Sequence, residues 1–426
     1  MLSPFDTLID RRGSGALKTD ALRERFTMYR NEDGKDDLLP MWVADMDFAT
    51  PDFILDAIRQ RLEHPVLGYT IEPEDYRPAI IDWVRSHHGW EIQPEWISYI
   101  PGVVKGIGTA LNLFTNPGDS VAIMEPVYHI FRQVIEGNGR KVAQDPPQPS
   151  LQREGEDELP SSIDTNLSPS LCREGWGESS LPLCRGSRRG SWGSCASPAV
   201  FLLSNPHNPI GICWSREWLQ ALAHYCYEHH ILVISDEIHA DLALFGHKHI
   251  PFASVSEEAA MNSITFMAPT KTFNMAGIIS AYSVIPNPDI RERYYSWLDT
   301  NELSEPNIFA PIATIAAYRK GEPWRQQLIH YIEQNILFTE QYLALHLPQV
   351  KVVRPEASFL VWLDCRALGL SHDALIDLFV NRARLALNDG EMFGHGGEGF
   401  MRMNVGCPRA VLQEALERLR DAVNSL

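Results

Sequence analysis

Apolar runs recur along the first two thirds of the chain, each closing in a polar loop. Residues 120–124, 199–203, 231–235, 263–267 and 279–285 are short, strongly apolar and flanked by turn residues, which predicts buried strands. Several are separated by helical patterns. In 216–229, Trp218, Leu219, Leu222, Ala223 and Tyr225 fall at helical spacing. Apolar strands alternating with helices predict a mainly parallel α/β sheet covered on both faces. The last third changes character. Residues 324–347 carry a long amphipathic helix pattern, and 359–363 and 400–405 read as strands. This predicts a smaller α+β domain packed on the first. The expected division is 47–286 for the large domain and 287–426 for the small one, with 1–46 as an N-terminal arm that joins the small domain.

One stretch breaks the pattern. Residues 144–197 are rich in Pro, Ser, Gly, Arg and Glu and show no periodicity. The run from Pro149 to Gly155 returns from Pro169 to Gly175 with one change, Gln152 against Cys172. A loop of that length inside a compact domain is expected to be a low-complexity, disordered surface insertion.

Composition narrows the function classes. A chain of 426 residues with 44% apolar and 22% charged positions is ordinary for a soluble globular protein. The formal charge of −18 opposes binding to nucleic-acid phosphates. No apolar run is long enough to span a bilayer, and the charged start at Asp10, Arg11 and Arg12 is no secretory signal, so a cytoplasmic protein is expected. The seven cysteines are odd in number and form no C-x-x-C pair, which predicts neither a disulfide framework nor a zinc site. Cys213, Cys226, Cys365 and Cys407 sit in apolar surroundings and read as buried thiols.

The strand ends carry the candidate chemistry. Lys271 follows the run 263–267 in Ala268-Pro269-Thr270-Lys271. Asp236 ends the run 231–235 and opens Asp236-Glu237-Ile238-His239. Asn208 follows the run 199–203 in Ser204-Asn205-Pro206-His207-Asn208-Pro209-Ile210-Gly211. Taken singly, these read as a solvated lysine, a helix N-cap and a turn asparagine. Taken in order, each interval suits one βα unit, and ligands bind at the carboxyl ends of such strands. A lysine for a Schiff base, a carboxylate for a ring nitrogen and an amide for a phenolic oxygen are the set pyridoxal 5'-phosphate requires.

The chain resembles fold-type I pyridoxal-phosphate enzymes of the class I/II aminotransferase family. The motifs Asn-Pro-x-Gly, Asp-Glu-x-His and Thr-Lys, in that order, carry the resemblance from about Leu39 onward. Three stretches are similar to the MalY/PatB-type cystathionine β-lyases, or C–S lyases. They are Pro40-Met41-Trp42-Val43-Ala44-Asp45-Met46-Asp47-Phe48, then Asp236-Glu237-Ile238-His239-Ala240-Asp241-Leu242, and Asn404-Val405-Gly406-Cys407-Pro408-Arg409.

The resemblance implies a seven-stranded sheet and a set of roles. Lys271 would hold the cofactor and then move protons. Asp236 would pair with the ring nitrogen, Asn208 and His239 would contact the phenolic oxygen, and Tyr128 would stack on the ring. Val103 and Val104 amides and the Thr270 hydroxyl would bind phosphate, joined by Tyr69 from a neighbouring subunit of a homodimer. Arg402 would grip the substrate α-carboxylate. One position departs from the wider family: Ile279 stands where many members have a phosphate-binding arginine. The implied reaction is β-elimination on cystathionine or a related cysteine thioether, giving homocysteine or another thiol, pyruvate and ammonia, a step suited to methionine biosynthesis. Amino transfer to a keto acid is the alternative that shares the same residues. A regulatory binding protein that retains the scaffold is the alternative from another class. His87, His88, His229 and His230 show no metal-ligand spacing, and His247 and His249 read as a polar turn.

Overall fold

The computed structural model describes residues 3–30, 37–143 and 198–426. The expected insertion at 144–197 lies outside the described residues. After a short strand β1 (Leu39–Pro40), seven strands build one sheet. They are β2 (Ile97–Ile100), β3 (Ser120–Ala122), β4 (Lys141–Val142), β5 (Val200–Ser204), β6 (Leu232–Asp236), β7 (Ser263–Met267) and β8 (Ala281–Val284). Their order is β2-β8-β7-β6-β5-β3-β4. From β4 through β3, β5 and β6 to β7 the pairing is parallel, whereas β8 runs antiparallel to β7 and β2.

The central strands are buried along their whole length, because side chains alternate between two apolar cores. Val200, Leu202 and Ile234 pack with Ile107 and Leu111 of the helix Val103–Phe114 on one face. Phe201, Leu203 and Val233 pack with Leu219 and Leu222 of the helix Arg216–Glu228 on the other. The parallel register sets Ser204 beside Asp236 and Asp236 beside Phe266. The carboxyl ends of β5, β6 and β7 therefore finish along one edge, where their loops meet.

The expected strand at 279–285 is shorter in the structure. Ile279 has φ +55, in the left-handed region, so the chain turns there and pairing begins at Ala281. Its apolar character is spent on a partly exposed turn rather than on the sheet.

A second sheet holds β9 (Lys351–Val353), β10 (Leu360–Asp364), β12 (Asn388–Asp389) and β13 (Phe400–Asn404) in the antiparallel order β12-β13-β10-β9. The remaining strand, β11 (Leu385–Ala386), pairs in parallel with β1. The helices Glu322–His346 and Arg409–Asn424 cover this sheet, and their core includes Phe5, Met41, Met46 and Phe48. Among the described residues no helix is long and apolar enough to cross a membrane.

Candidate active site

Lys271 stands four residues beyond β7, in the loop that leaves the sheet edge. It lines a cavity of about 300 Å³ with Val103, Val104, Tyr128, Asn208, Asp236, His239 and Thr270. Eight residues singled out in the sequence thus share one wall. Two do not. Tyr69 is fully exposed and stands apart from this lining. Arg402 sits one layer behind, with its Nη1 donating to Asn208 Oδ1 at 3.0 Å.

Burial drives the electrostatics. It pushes the Lys271 amine down to about 8; the Asp45 and Asp236 carboxylates resist that shift, and Arg402 adds to it. Burial likewise pushes the Asp236 carboxyl up to about 7, against the Ile238 amide, which donates to its Oδ1 at 3.1 Å, and against Lys271. His239 is pushed down to about 3 by burial and by Lys271 and Arg402, so its ring is neutral. Its Nδ1 is buried without a hydrogen-bond partner among the described residues. Lys271 Nζ donates to the Ala44 carbonyl at 2.5 Å.

The helix Val103–Phe114 starts at the cavity wall. Its N-cap is Gly102 at φ +106, a conformation that L side chains rarely adopt. The first helical amides have no intrahelical acceptor, and Val103 and Val104, which carry two of them, line the cavity. Lys105, on the same first turn, and Ile279 are also in the lining.

Arg402 is buried on β13, and desolvation lowers its guanidinium to about 10, so it stays charged at neutral pH. Its Nη2 donates to Asn388 Oδ1 at 2.6 Å and to the Trp42 carbonyl at 3.2 Å. The Phe393 ring lies 4.8 Å below the guanidinium, and Nε has no hydrogen-bond partner among the described residues. Neutral amide oxygens thus hold a cation that a carboxylate would satisfy better.

Some neighbours escaped the sequence reading. Asn388 and the Trp42 and Ala44 carbonyls carry no local signature; only the fold brings them in. His249 is not part of a polar turn. Its side chain is fully buried, and its Nε2 lies 2.7 Å from Glu237 Oε2, while Glu237 Oε1 accepts from Ser235 Oγ at 2.8 Å and Phe252 N at 2.8 Å. His88 is likewise buried against Asp241, at 2.9 Å. A glutamate inside an apolar strand-to-loop junction, right after Asp236, was the signal for a buried partner.

The chain matches the model of the family "Aminotransferase class I and II" over residues 37–166 and 179–419. It is 40% identical over 421 residues to cystathionine beta-lyase PatB of Bacillus subtilis, covering 99% of this chain and 100% of that protein. It is 30% identical over 426 residues to protein MalY of Escherichia coli, covering 99% of each. Among solved structures, cystalysin from Treponema denticola, which contains a pyridoxal 5'-phosphate cofactor, superposes with a TM-score of 0.83 at 31% identity and covers 100% of both chains. The family match, the identity over the full length and the shared architecture agree: this chain belongs to the class I and II aminotransferase family.

Proposed function

We propose that this chain is a pyridoxal-phosphate-dependent C–S β-lyase acting on cystathionine or a related cysteine thioether. The observation that carries this reading is the convergence of Lys271, Asp236 and the first turn of Val103–Phe114 on one cavity, with Arg402 behind its wall. The resident groups suit the cofactor. Asp236 is a buried carboxylate that feels the Lys271 charge but has no ion pair within 4.0 Å among the described residues, which a protonated ring nitrogen would supply. The amides of Val103 and Val104 and the Thr270 hydroxyl suit a phosphate. Lys105 offers the positive charge that Ile279 does not. Tyr128 would pack on the ring, and Asn208 and His239 would face its oxygen. The likeness to PatB over the full length supports the lyase over the transaminase.

When bound, pyridoxal phosphate supplies an electron sink that acidifies the substrate Cα. Arg402 binds the α-carboxylate, which replaces the neutral amide oxygens now on the guanidinium. Asp236, ionised opposite the ring nitrogen, holds a proton there. Lys271 Nζ, as a free neutral amine, would take the Cα proton. The Cβ–S bond then breaks, and the thiolate leaves with the electron pair and gains a proton. Water converts the three-carbon remainder to pyruvate and ammonia.

The same reading carries a cytoplasmic homodimer, in which the exposed Tyr69 of one subunit reaches the phosphate site of the other. It also divides the chain into 47–286 and a second unit built from 1–46 and 287–426; the core that Phe5, Met41 and Met46 share with Leu328 and Leu412 supports this. The test is incubation with cystathionine alone. Pyruvate and a free thiol should form in equal amounts with no keto acid present. Amino transfer to an added keto acid, with no thiol released, would overturn the reading.

A further inference from the structure

The 42–47 turn contributes Ala44 to the cavity lining and is held by groups outside the proposed chemistry. Its inner surface is backbone: the Ala44 carbonyl accepts from Lys271, and the Trp42 carbonyl accepts from Arg402. Its floor is tied to β13 and to the loop that follows β7. Asn404 Nδ2 donates to the Val43 and Asp45 carbonyls, at 2.6 Å each. Asn274, three residues after Lys271, accepts from Met46 N at 3.0 Å and donates to the Met46 carbonyl at 2.9 Å.

The outer surface is charged. Arg11 grips both oxygens of Asp45, at 2.6 and 3.0 Å, and reaches Asp47 Oδ1 at 2.9 Å. Lys18 Nζ, fully buried, lies 2.7 Å from Asp47 Oδ2. The Trp42 indole donates to the Lys18 carbonyl at 3.1 Å, which closes the clasp. Two cations from the N-terminal arm thus meet two carboxylates of the turn, in surroundings where water screens them weakly.

We propose that Arg11 and Lys18 are positioning residues for Lys271, holding the 42–47 turn against it and setting how much of the Asp45 charge it feels. Asp45 is the strongest influence opposing the effect of burial on Lys271; Arg402 and Asp236 face the same amine from β13 and β6. Arg11 acts by neutralising Asp45. Without it, the uncompensated carboxylate favours the protonated nitrogen. Without Asp45, protonation is disfavoured. The two losses have opposite signs, which a purely structural role does not produce.

The inference rests on Lys271 carrying the cofactor, and spectrophotometric pH titration of the holoenzyme's visible band, which reports protonation of the lysine-linked nitrogen, tests it. Arg11→Met should raise the midpoint by about 0.5 or more, and Asp45→Asn should lower it by a similar amount. In an Asp45→Asn background, Arg11→Met should lose at least half its shift. Arg11→Lys keeps the charge but not the two-point grip, so it should shift the midpoint less in the same direction; it also serves if Arg11→Met fails to fold. Coincident titrations of both Arg11 variants and wild type, or equal Arg11→Met shifts in both backgrounds, would overturn the inference while leaving the cofactor reading intact. A wild-type holoenzyme without a visible band would overturn both.

Discussion

A lysine amine at about 8 beside a carboxyl at about 7 places both groups close to neutrality, where each changes charge most readily. In the proposed reaction the two groups do separate work, and single substitutions tell them apart. Lys271→Ala should reduce thiol release from cystathionine by roughly 10³-fold or more, while Lys271→Arg, which keeps a charge but forms no Schiff base, should do no better. Substantial turnover in either variant would move the chemistry to another residue. The amine must be neutral to capture the cofactor, and it is neutral above its pKa. Capture by the cofactor-free protein should therefore quicken as pH rises through about 8 and level off beyond it, followed by the growth of visible absorbance. A rate that falls over that interval would contradict the position of Lys271. Arg402 keeps its charge across the whole range, so Arg402→Lys should act on substrate binding: KM for cystathionine should rise more than kcat falls, because a point charge replaces a planar fork.

At the scale of elements, the site depends on where strands stop and one helix starts. β5, β6 and β7 end level because they are parallel and in register, and the helix Val103–Phe114 starts at the cavity wall after Gly102, which adopts φ +106. A Cβ at Gly102 would find room, since its nearest neighbour is Ile279 Cγ2 at 3.8 Å, so the cost of Gly102→Ala is conformational alone. We expect a loss of about 1–2 kcal/mol in denaturant unfolding of the holoenzyme; an unchanged midpoint would show that the turn tolerates a side chain. This is also the scale at which the sequence was most legible. Asn208, Asp236 and Lys271 could be read because each is anchored to an apolar strand a few residues away, and Arg402 because a charge on an apolar strand is conspicuous. The two-residue strand Lys141–Val142 is too short to show a period. Ile279 misled because an isoleucine beside a strand looks like part of it, whereas backbone turning at +55 leaves no trace in the pattern.

Across the whole molecule, the residues that the sequence hid are those joined over long distances. Lys271 and Ala44 are 227 positions apart, and the group that meets the lysine is a backbone carbonyl, which has no residue identity to read. Asn388, Arg11 and His249 were silent for a related reason: each meets its partner, Arg402, Asp45 or Glu237, through tertiary packing, with no periodic spacing to read. Burial of histidines has a molecule-wide consequence. His207 and His239 are pushed down to about 4 and about 3, chiefly by burial, from an ordinary value of 6.5. Unfolding frees each ring to take a proton between those values and 6.5, so their stabilising effect is full above 6.5 and is lost as pH falls below it. Each should weaken the cofactor-free protein by up to about 1.4 kcal/mol per pH unit over that interval. Thermal unfolding from pH 7 to pH 4.5 should show a falling midpoint, less steep in His207→Gln; a flat profile would contradict the buried neutral rings.

The most direct test of the account is to locate the cofactor. The purified protein is reduced with borohydride, digested and mapped by mass spectrometry. We predict pyridoxal phosphate fixed to the peptide containing Lys271, in about one copy per chain. Attachment at another lysine such as Lys105, or at none, would contradict it.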